Sequence, residues 1–258
     1  MYSMQLKNKL KAGDVCLGAW ITISNPIIAE IFANAGYDWV VVDLEHSSIS
    51  IDQAGNLIRV IDLAGSSPLV RLTANDKDLI KRVMDSGAHG IVVPNVKTPD
   101  DAQEAVLATR YQPYGSRGVG LGRAQDYGPG FRRYLDWQKE GPLVIVMIED
   151  KSALNRLGEI FNVHGVDGFL IGPYDLSCSM GIPGDFENPR FLEAIDSIVN
   201  AGRKAKCPAG FHLVEPSPTG LKELISEGYQ FIAYGVDIRM LDLAARLGID
   251  MSKTVKHV

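Results

Sequence analysis

A few side chains in this sequence combine acid, base and cation chemistry at the ends of apolar runs. Asp43, Glu45 and His46 close DWVVVDL (38–44) and the residues that follow it, and Arg71 ends the run at 67–72. Glu149 ends LVIVMIE (143–149), and Asp175 follows VDGFLIG (166–172) in the phrase GPYD. Glu149 and Asp175 offer hard oxygen ligands to a divalent ion such as magnesium or manganese, which keeps waters to exchange for a substrate. Zinc would ask for more nitrogen or sulfur. The other use of such carboxylates is capping, since Asp175 precedes LSCSMG and Asp150 precedes KSALNRL.

His46 carries an imidazole that titrates near neutrality, and a neighbouring carboxylate can orient it and raise its basicity. It therefore reads as a general base or as a structural histidine. Arg71 presents a planar fork suited to a carboxylate or an oxyanion, or to an internal ion pair with Asp43 or Glu45. Asn95 and His212 also fall near run ends, with His212 the strongest of the remaining histidines. The glycine run GSRGVGLG (115–122) has no phosphate-loop lysine and does not join a strand to a helix. Gly235 to Asp237 reads either as a phosphate-holding turn or as a plain tight turn.

The elements that must position these residues repeat one unit. Apolar runs at 15–21, 38–44, 67–72, 89–95, 143–149, 166–172, 208–214 and 230–236 alternate with helical patterns at 26–35, 52–63, 75–87, 99–109, 151–161, 189–205, 218–227 and 238–247. Eight such pairs in 258 residues predict a single (β/α)8 barrel over 1–258, in which the C-terminal strand ends build the site. Asn25 before Pro26 marks a helix start, and Gly36, Gly87 and Gly228 sit where helices end. The segment 110–142 is too long for a simple connection. It is expected to form a lid or an oligomer contact, with a helix near 130–139.

Composition removes other classes. With 26 Lys+Arg against 31 Asp+Glu the net charge is -5, which excludes a basic nucleic-acid binder. No apolar stretch is long enough for a membrane span, and the first residues lack a signal-peptide core, so a cytoplasmic location is expected. Cys16, Cys178 and Cys207 are far apart and are expected to be reduced.

In this order, LGAWITISNP (17–26), AGYDWVVVDLEHS (35–47), VRLTAND (70–76), MDSGAHGIVVPNVKT (84–98), RYQPYGSRGVG (110–120), MIED (147–150), VDGFLIGPYDLSCSMG (166–181) and FIAYGVD (231–237) resemble the HpcH/HpaI aldolase family. These are the metal-dependent class II pyruvate aldolases, such as 4-hydroxy-2-oxoheptanedioate and 2-dehydro-3-deoxyglucarate aldolases. The resemblance implies a TIM barrel that reversibly cleaves a 4-hydroxy-2-oxo acid to pyruvate, or a related 2-oxo acid, and an aldehyde through an enolate stabilised by the metal. It implies His46 as base, Asp85 as the residue that raises its basicity, and Arg71 as the 2-oxo acid clamp. Glu149 and Asp175 would be the ligands of Mg, Mn or Co, and the backbone around Tyr174 and Asp175 would cradle the carboxylate. It also implies a homo-hexamer built from dimers, with 238–251 and the insertion at 110–142 in the contacts.

The chain departs from the best-known members at two positions. Met147 stands where they have glutamine, and Tyr174 where alanine is common. A citrate-lyase-like or malyl-thioester lyase and a non-catalytic binding barrel are the competing readings. The first needs a surface for a large thioester, and the second a broken site.

Overall fold

The computed structural model describes residues 3–254. Parallel strands β1 (Cys16–Ile21), β2 (Trp39–Asp43), β3 (Ser67–Arg71), β4 (Gly90–Val93), β5 (Leu143–Ile148), β6 (Gly168–Ile171), β7 (Ala209–Leu213) and β8 (Phe231–Val236) close in chain order into a barrel. Around them run α1 (Gln5–Lys11), α2 (Pro26–Asn34), α3 (Ile51–Leu63), α4 (Lys77–Asp85), α5 (Pro99–Thr109), α6 (Phe131–Trp137), α7 (Leu157–Phe161), α8 (Pro173–Ser179), α9 (Pro189–Ala205), α10 (Pro218–Glu227) and α11 (Asp237–Thr254). The expected TIM barrel is the observed one.

Strand sequences are apolar on both sides because both sides are buried. Along β2, Trp39 and Val41 join an inner core with Trp20, Leu69, Val92, Ile145, Met147, Leu170 and Phe231. Val40 and Val42 join an outer core between strands and helices. The two-residue period of the strand alone sorts them. Inside the barrel, the rings of Trp39 and Phe231 stack with centroids 4.0 Å apart. That stack needs Gly18, since a Cβ there would lie 2.1 Å from the Trp39 indole.

At the N-terminal end of the strands, α1 inserts Leu6 and Leu10 into the inner core. Between them Lys7 meets Asp167 at 2.9 Å and donates to the Pro142 carbonyl at 3.0 Å. The sequence did not announce this short helix, whose role is to close the barrel floor. The helix start at Asn25 and the glycine ends stand as expected, and two further caps appear. Asn25 accepts from the Ile27 amide ahead of α2, Ser50 and Thr98 form capping boxes, and Gly36, Gly87 and Gly228 follow helices with φ of +94, +97 and +93°.

Two connections differ from expectation. The helix expected over 151–161 opens as a 3-10 turn, Lys151–Asn155, because the Asp150 carboxylate accepts from the Ser152 amide; only α7 is α-helical. The link from β6 to α9 carries the unforeseen α8, whose first turn holds Asp175. The insertion is a packed flank containing α6. In it, the Arg117 guanidinium lies over Tyr111 at 4.3 Å and Tyr134 at 5.2 Å, and Arg123 pairs with Asp62 of α3.

The Gly18→Ala variant should lose about 1–3 kcal/mol or more of stability, because the new methyl has no space beside Trp39. Urea denaturation checks this; an unchanged midpoint would mean that the indole moves aside freely.

Candidate active site

Asp43 organises the C-terminal rim. Its buried carboxylate accepts from Arg71 Nε at 2.9 Å and from Nη2 at 2.5 Å, a two-point pairing of acid and guanidinium. The same Oδ1 accepts from the Glu45 amide at 2.9 Å and the His46 amide at 3.2 Å. The Ser47 hydroxyl closes the turn on the Asp43 carbonyl. Burial alone would raise the Asp43 pKa, but the Arg71 hydrogen bonds and charge, with the two amides, hold it below the usual carboxylate range. One acid thus fixes both the guanidinium and the loop that presents His46.

Arg71 Nη1 also stands 3.3 Å from Glu45 Oε2. The internal ion pair anticipated as one reading is therefore real, with both acids. It still leaves guanidinium N–H groups for a ligand, since arginine carries five. The Trp20 ring supports the guanidinium from the side, with its centroid 5.0 Å from Arg71 Cζ.

Glu149 is buried at the end of β5, and its Oε1 accepts from the Asn95 amide at 2.6 Å. That bond depends on Asn95 adopting φ +55°, a left-handed turn just past β4. Gly172 leaves the space that Oε2 occupies, for a Cβ there would lie 2.5 Å from it. Burial pushes the Glu149 carboxyl up to about 7, against the Asn95 amide, and the charges of Glu45 and Asp175 add to the rise. Glu45 is raised as well, first by burial, with Asp43 and Asp175 adding to it and Arg71 opposing.

Asp175 does not cap α8, which begins at Pro173 with Gly172 as its cap. Its exposed carboxylate makes no hydrogen bond or ion pair among the described residues. Asp150, by contrast, does cap, and it pairs with Lys97 at 2.9 Å. Among the described residues no group of three or more His, Cys, Asp or Glu stands ready to hold a metal. The pair Glu149 and Asp175 still fits a hard divalent cation that takes its other oxygens from water and substrate. Three acids crowd here, and the nearby cation, Arg71, is already shared between Asp43 and Glu45. A bound cation would relieve that repulsion.

His46 is exposed on the rim, and its side chain has no hydrogen-bond or ion-pair partner among the described residues. Asp85 is not brought to it. Asp85 ends α4 and faces the insertion, with Gly120 and Gly122 against it, Gln125 bonding to it and Arg117 acting on it by charge. Tyr174 is exposed and meets Phe186 edge to face at 5.1 Å. Met147 points into the inner core. Asp237 is an anchor: Thr22 donates to it from its amide and its hydroxyl, and the Ile23 amide donates too, which settles the Gly235–Asp237 turn as structural. Sequence reasoning missed the Asn95 amide and the empty face of Gly172, whose signals were an asparagine after Pro94 and a glycine before GPYD's proline. All three cysteines are free.

The C-terminal rim of a parallel eight-stranded barrel thus gathers Glu149, Asp175, Arg71 and His46. The chain matches the family model HpcH/HpaI aldolase/citrate lyase over residues 17–243, and it belongs to that family. It is 36% identical over 253 residues to 2-keto-3-deoxy-L-rhamnonate aldolase of Escherichia coli strain UMN026, covering 97% of this chain and 94% of that one. A family protein from Burkholderia cenocepacia superposes with a TM-score of 0.91 at 31% identity, covering 98% of this chain and 100% of the other. The citrate synthase SbnG superposes at 0.85 with 29% identity, covering 97% and 98%. The chain is an enzyme, a carbon–carbon lyase of the aldolase type.

The crowding of acids sets a pH-dependent response to metal. Without a cation, the raised Glu149 carboxyl favours folding below its unfolded value of about 4.5, and that contribution is lost as pH rises through about 7. The gain in Tm on adding magnesium or manganese should therefore grow from pH 5.5 to pH 8, as the proton gives way to the cation. Glu149→Gln should abolish most of that gain. Differential scanning calorimetry measures both; a metal response independent of pH and of Glu149 would place the cation elsewhere.

Proposed function

We propose that this rim cleaves and forms 4-hydroxy-2-oxo acids, with pyruvate or a close 2-oxo acid on one side and an aldehyde on the other. The observation that carries the reading is the juxtaposition of an acid pair short of a cation with a guanidinium held at two points by Asp43. A divalent ion held by Glu149 and Asp175 would polarise the 2-oxo acid as a Lewis acid. Mg, Mn or Co suits these oxygen ligands.

The remaining roles belong to the chain. Arg71 binds the 2-oxo acid through its uncommitted N–H groups and stabilises the charge of the enolate, and Asp43 keeps its fork from turning away. His46, unpartnered and exposed, takes the 4-hydroxyl proton in cleavage and handles the methyl proton of pyruvate in the reverse direction. The α8 start, with Tyr174 and Asp175, borders the carboxylate, and the Tyr174 ring narrows that side. No proton-transfer step is placed on Asp85, which serves the insertion within one chain. The curated relative's name, a 2-keto-3-deoxy sugar-acid aldolase, supports a hydroxylated 2-oxo acid as substrate. The competing thioester lyase is disfavoured by the same likeness.

We further infer a homo-oligomer, a hexamer built from dimers. Exposed apolar residues on α11 (Leu241, Leu247, Ile249 and Met251, each about 60% exposed) and on the insertion (Val119, Leu121 and Tyr127) support it. No helix among the described residues is long and apolar enough to cross a membrane. A cytoplasmic setting remains the expectation.

Exchange of pyruvate methyl protons with deuterated water, followed by NMR, tests the chemistry without any aldehyde. Chelation should stop the exchange and Mg, Mn or Co should restore it. His46→Ala should slow it about 100-fold or more, and Arg71→Lys should weaken pyruvate binding and exchange together. Wild-type exchange in both variants would remove those assignments. Light scattering at micromolar concentration should show a mass several times 28.1 kDa; a monomer would overturn the assembly.

A further inference from the structure

His212 lies outside the roles assigned above, yet the chain spends unusual backbone geometry on it. Strand β8 pairs with β1 out of step: Gly18 faces Ala233, but Trp20 faces Val236, so β8 carries one extra residue there. The bulge contains Gly235 in the left-handed region at φ +76°. Bulges beside active sites re-aim groups, and this one presents the Gly235 carbonyl to the His212 ring, which donates to it. The ring nitrogen left without a partner is Nε2, so Nδ1 carries the proton and Nε2 is a bare acceptor.

The neighbours keep it that way. His212 stacks on Trp20 with centroids 4.4 Å apart and planes 14° from parallel, and Trp20 in turn supports Arg71. Burial and then the Arg71 charge hold the imidazole neutral, near pKa 4. Trp20 Nε1, a donor, is also shielded and unpartnered. A buried acceptor and a buried donor on stacked rings thus lie beside the 2-oxo acid clamp, and a hydroxyl group, which both donates and accepts, can satisfy either. A histidine placed only for packing would need neither a fixed tautomer nor an orphan nitrogen, both of which phenylalanine or leucine would avoid.

We propose that His212, backed by Trp20, is a specificity-determining residue that reads a hydroxyl on the aldehyde-derived half of the substrate. The inference rests on the aldolase reading and goes beyond it by naming the residue that selects hydroxyaldehydes over their deoxy counterparts. A site built around a hydroxyl discriminates strongly against ligands that lack it, because the buried partners then stay unpaired.

The test measures kcat/KM for pyruvate condensation with glycolaldehyde and with acetaldehyde, using the metal-loaded full chain. The wild type should favour glycolaldehyde. His212→Leu should reduce that ratio about 10-fold or more, while His212→Gln, whose amide oxygen can stand in for Nε2, should keep a larger part of it. An unchanged ratio in the Leu variant, or equal losses on both aldehydes in both variants, would overturn the proposal. If the Leu variant does not fold, His212→Phe, which keeps a ring against Trp20 but has no acceptor, decides: a ratio lowered about 10-fold or more supports the role, and a wild-type ratio refutes it. Pyruvate proton exchange by the wild type separates the two levels. Exchange without hydroxyl discrimination sinks only the His212 role, whereas no exchange with any metal sinks the aldolase reading and this inference with it.

Discussion

The pairing of Asp43 with Arg71 is the constraint on which the site depends. A buried carboxylate is tolerated only when its charge is met, and Arg71 meets it at two points. The same oxygen then takes the amides of Glu45 and His46, so the turn after β2 is wound around a charge that β3 neutralises. Removing the arginine would strand the acid and loosen the loop, and removing the acid would free the fork. The residues proposed as clamp and base are therefore both positioned by the Asp43 carboxylate.

With Arg71 shared between Asp43 and Glu45, the rim is left with an excess of negative charge. Burial at the end of β5 raises the Glu149 pKa well above the ordinary carboxylate range, and the charges of Glu45 and Asp175 add to the rise. Such an arrangement is costly for stability and useful for chemistry. It would suit a dication held through few protein ligands, with coordination positions left for a substrate that brings its own oxygens. The backbone contributes through Asn95 and Gly172, one donating an amide and the other keeping clear of Oε2.

Much of this was legible in the sequence, because the barrel's two-sided burial writes itself as apolar runs and its chemistry gathers where those runs end. The eight strands, the cap at Asn25, and the placing of Arg71, Glu149 and Asp175 near strand ends follow from type and position. What could not be read came from three-dimensional closure. Gly18 is required by an indole from the neighbouring strand, α1 by the need to plug a floor, and the tautomer of His212 by a bulge in a strand that pairs with the first. Asp85 shows the converse. Its resemblance-based role links it to His46, but the chain folds it against Gln125 and the insertion. Local sequence carries no record of which distant backbone will press on a side chain.

The central claim is that the acids of β5 and α8 hold the cation while Arg71 remains bound to Asp43. A crystal soaked with manganese and oxalate, a stable mimic of the pyruvate enolate, examines it most directly through anomalous difference density. The account predicts one manganese between Glu149 and Asp175, with oxalate bridging it to Arg71 and the Asp43 pair intact. Manganese bound elsewhere, or an Arg71 released from Asp43 to reach the ligand, would contradict it.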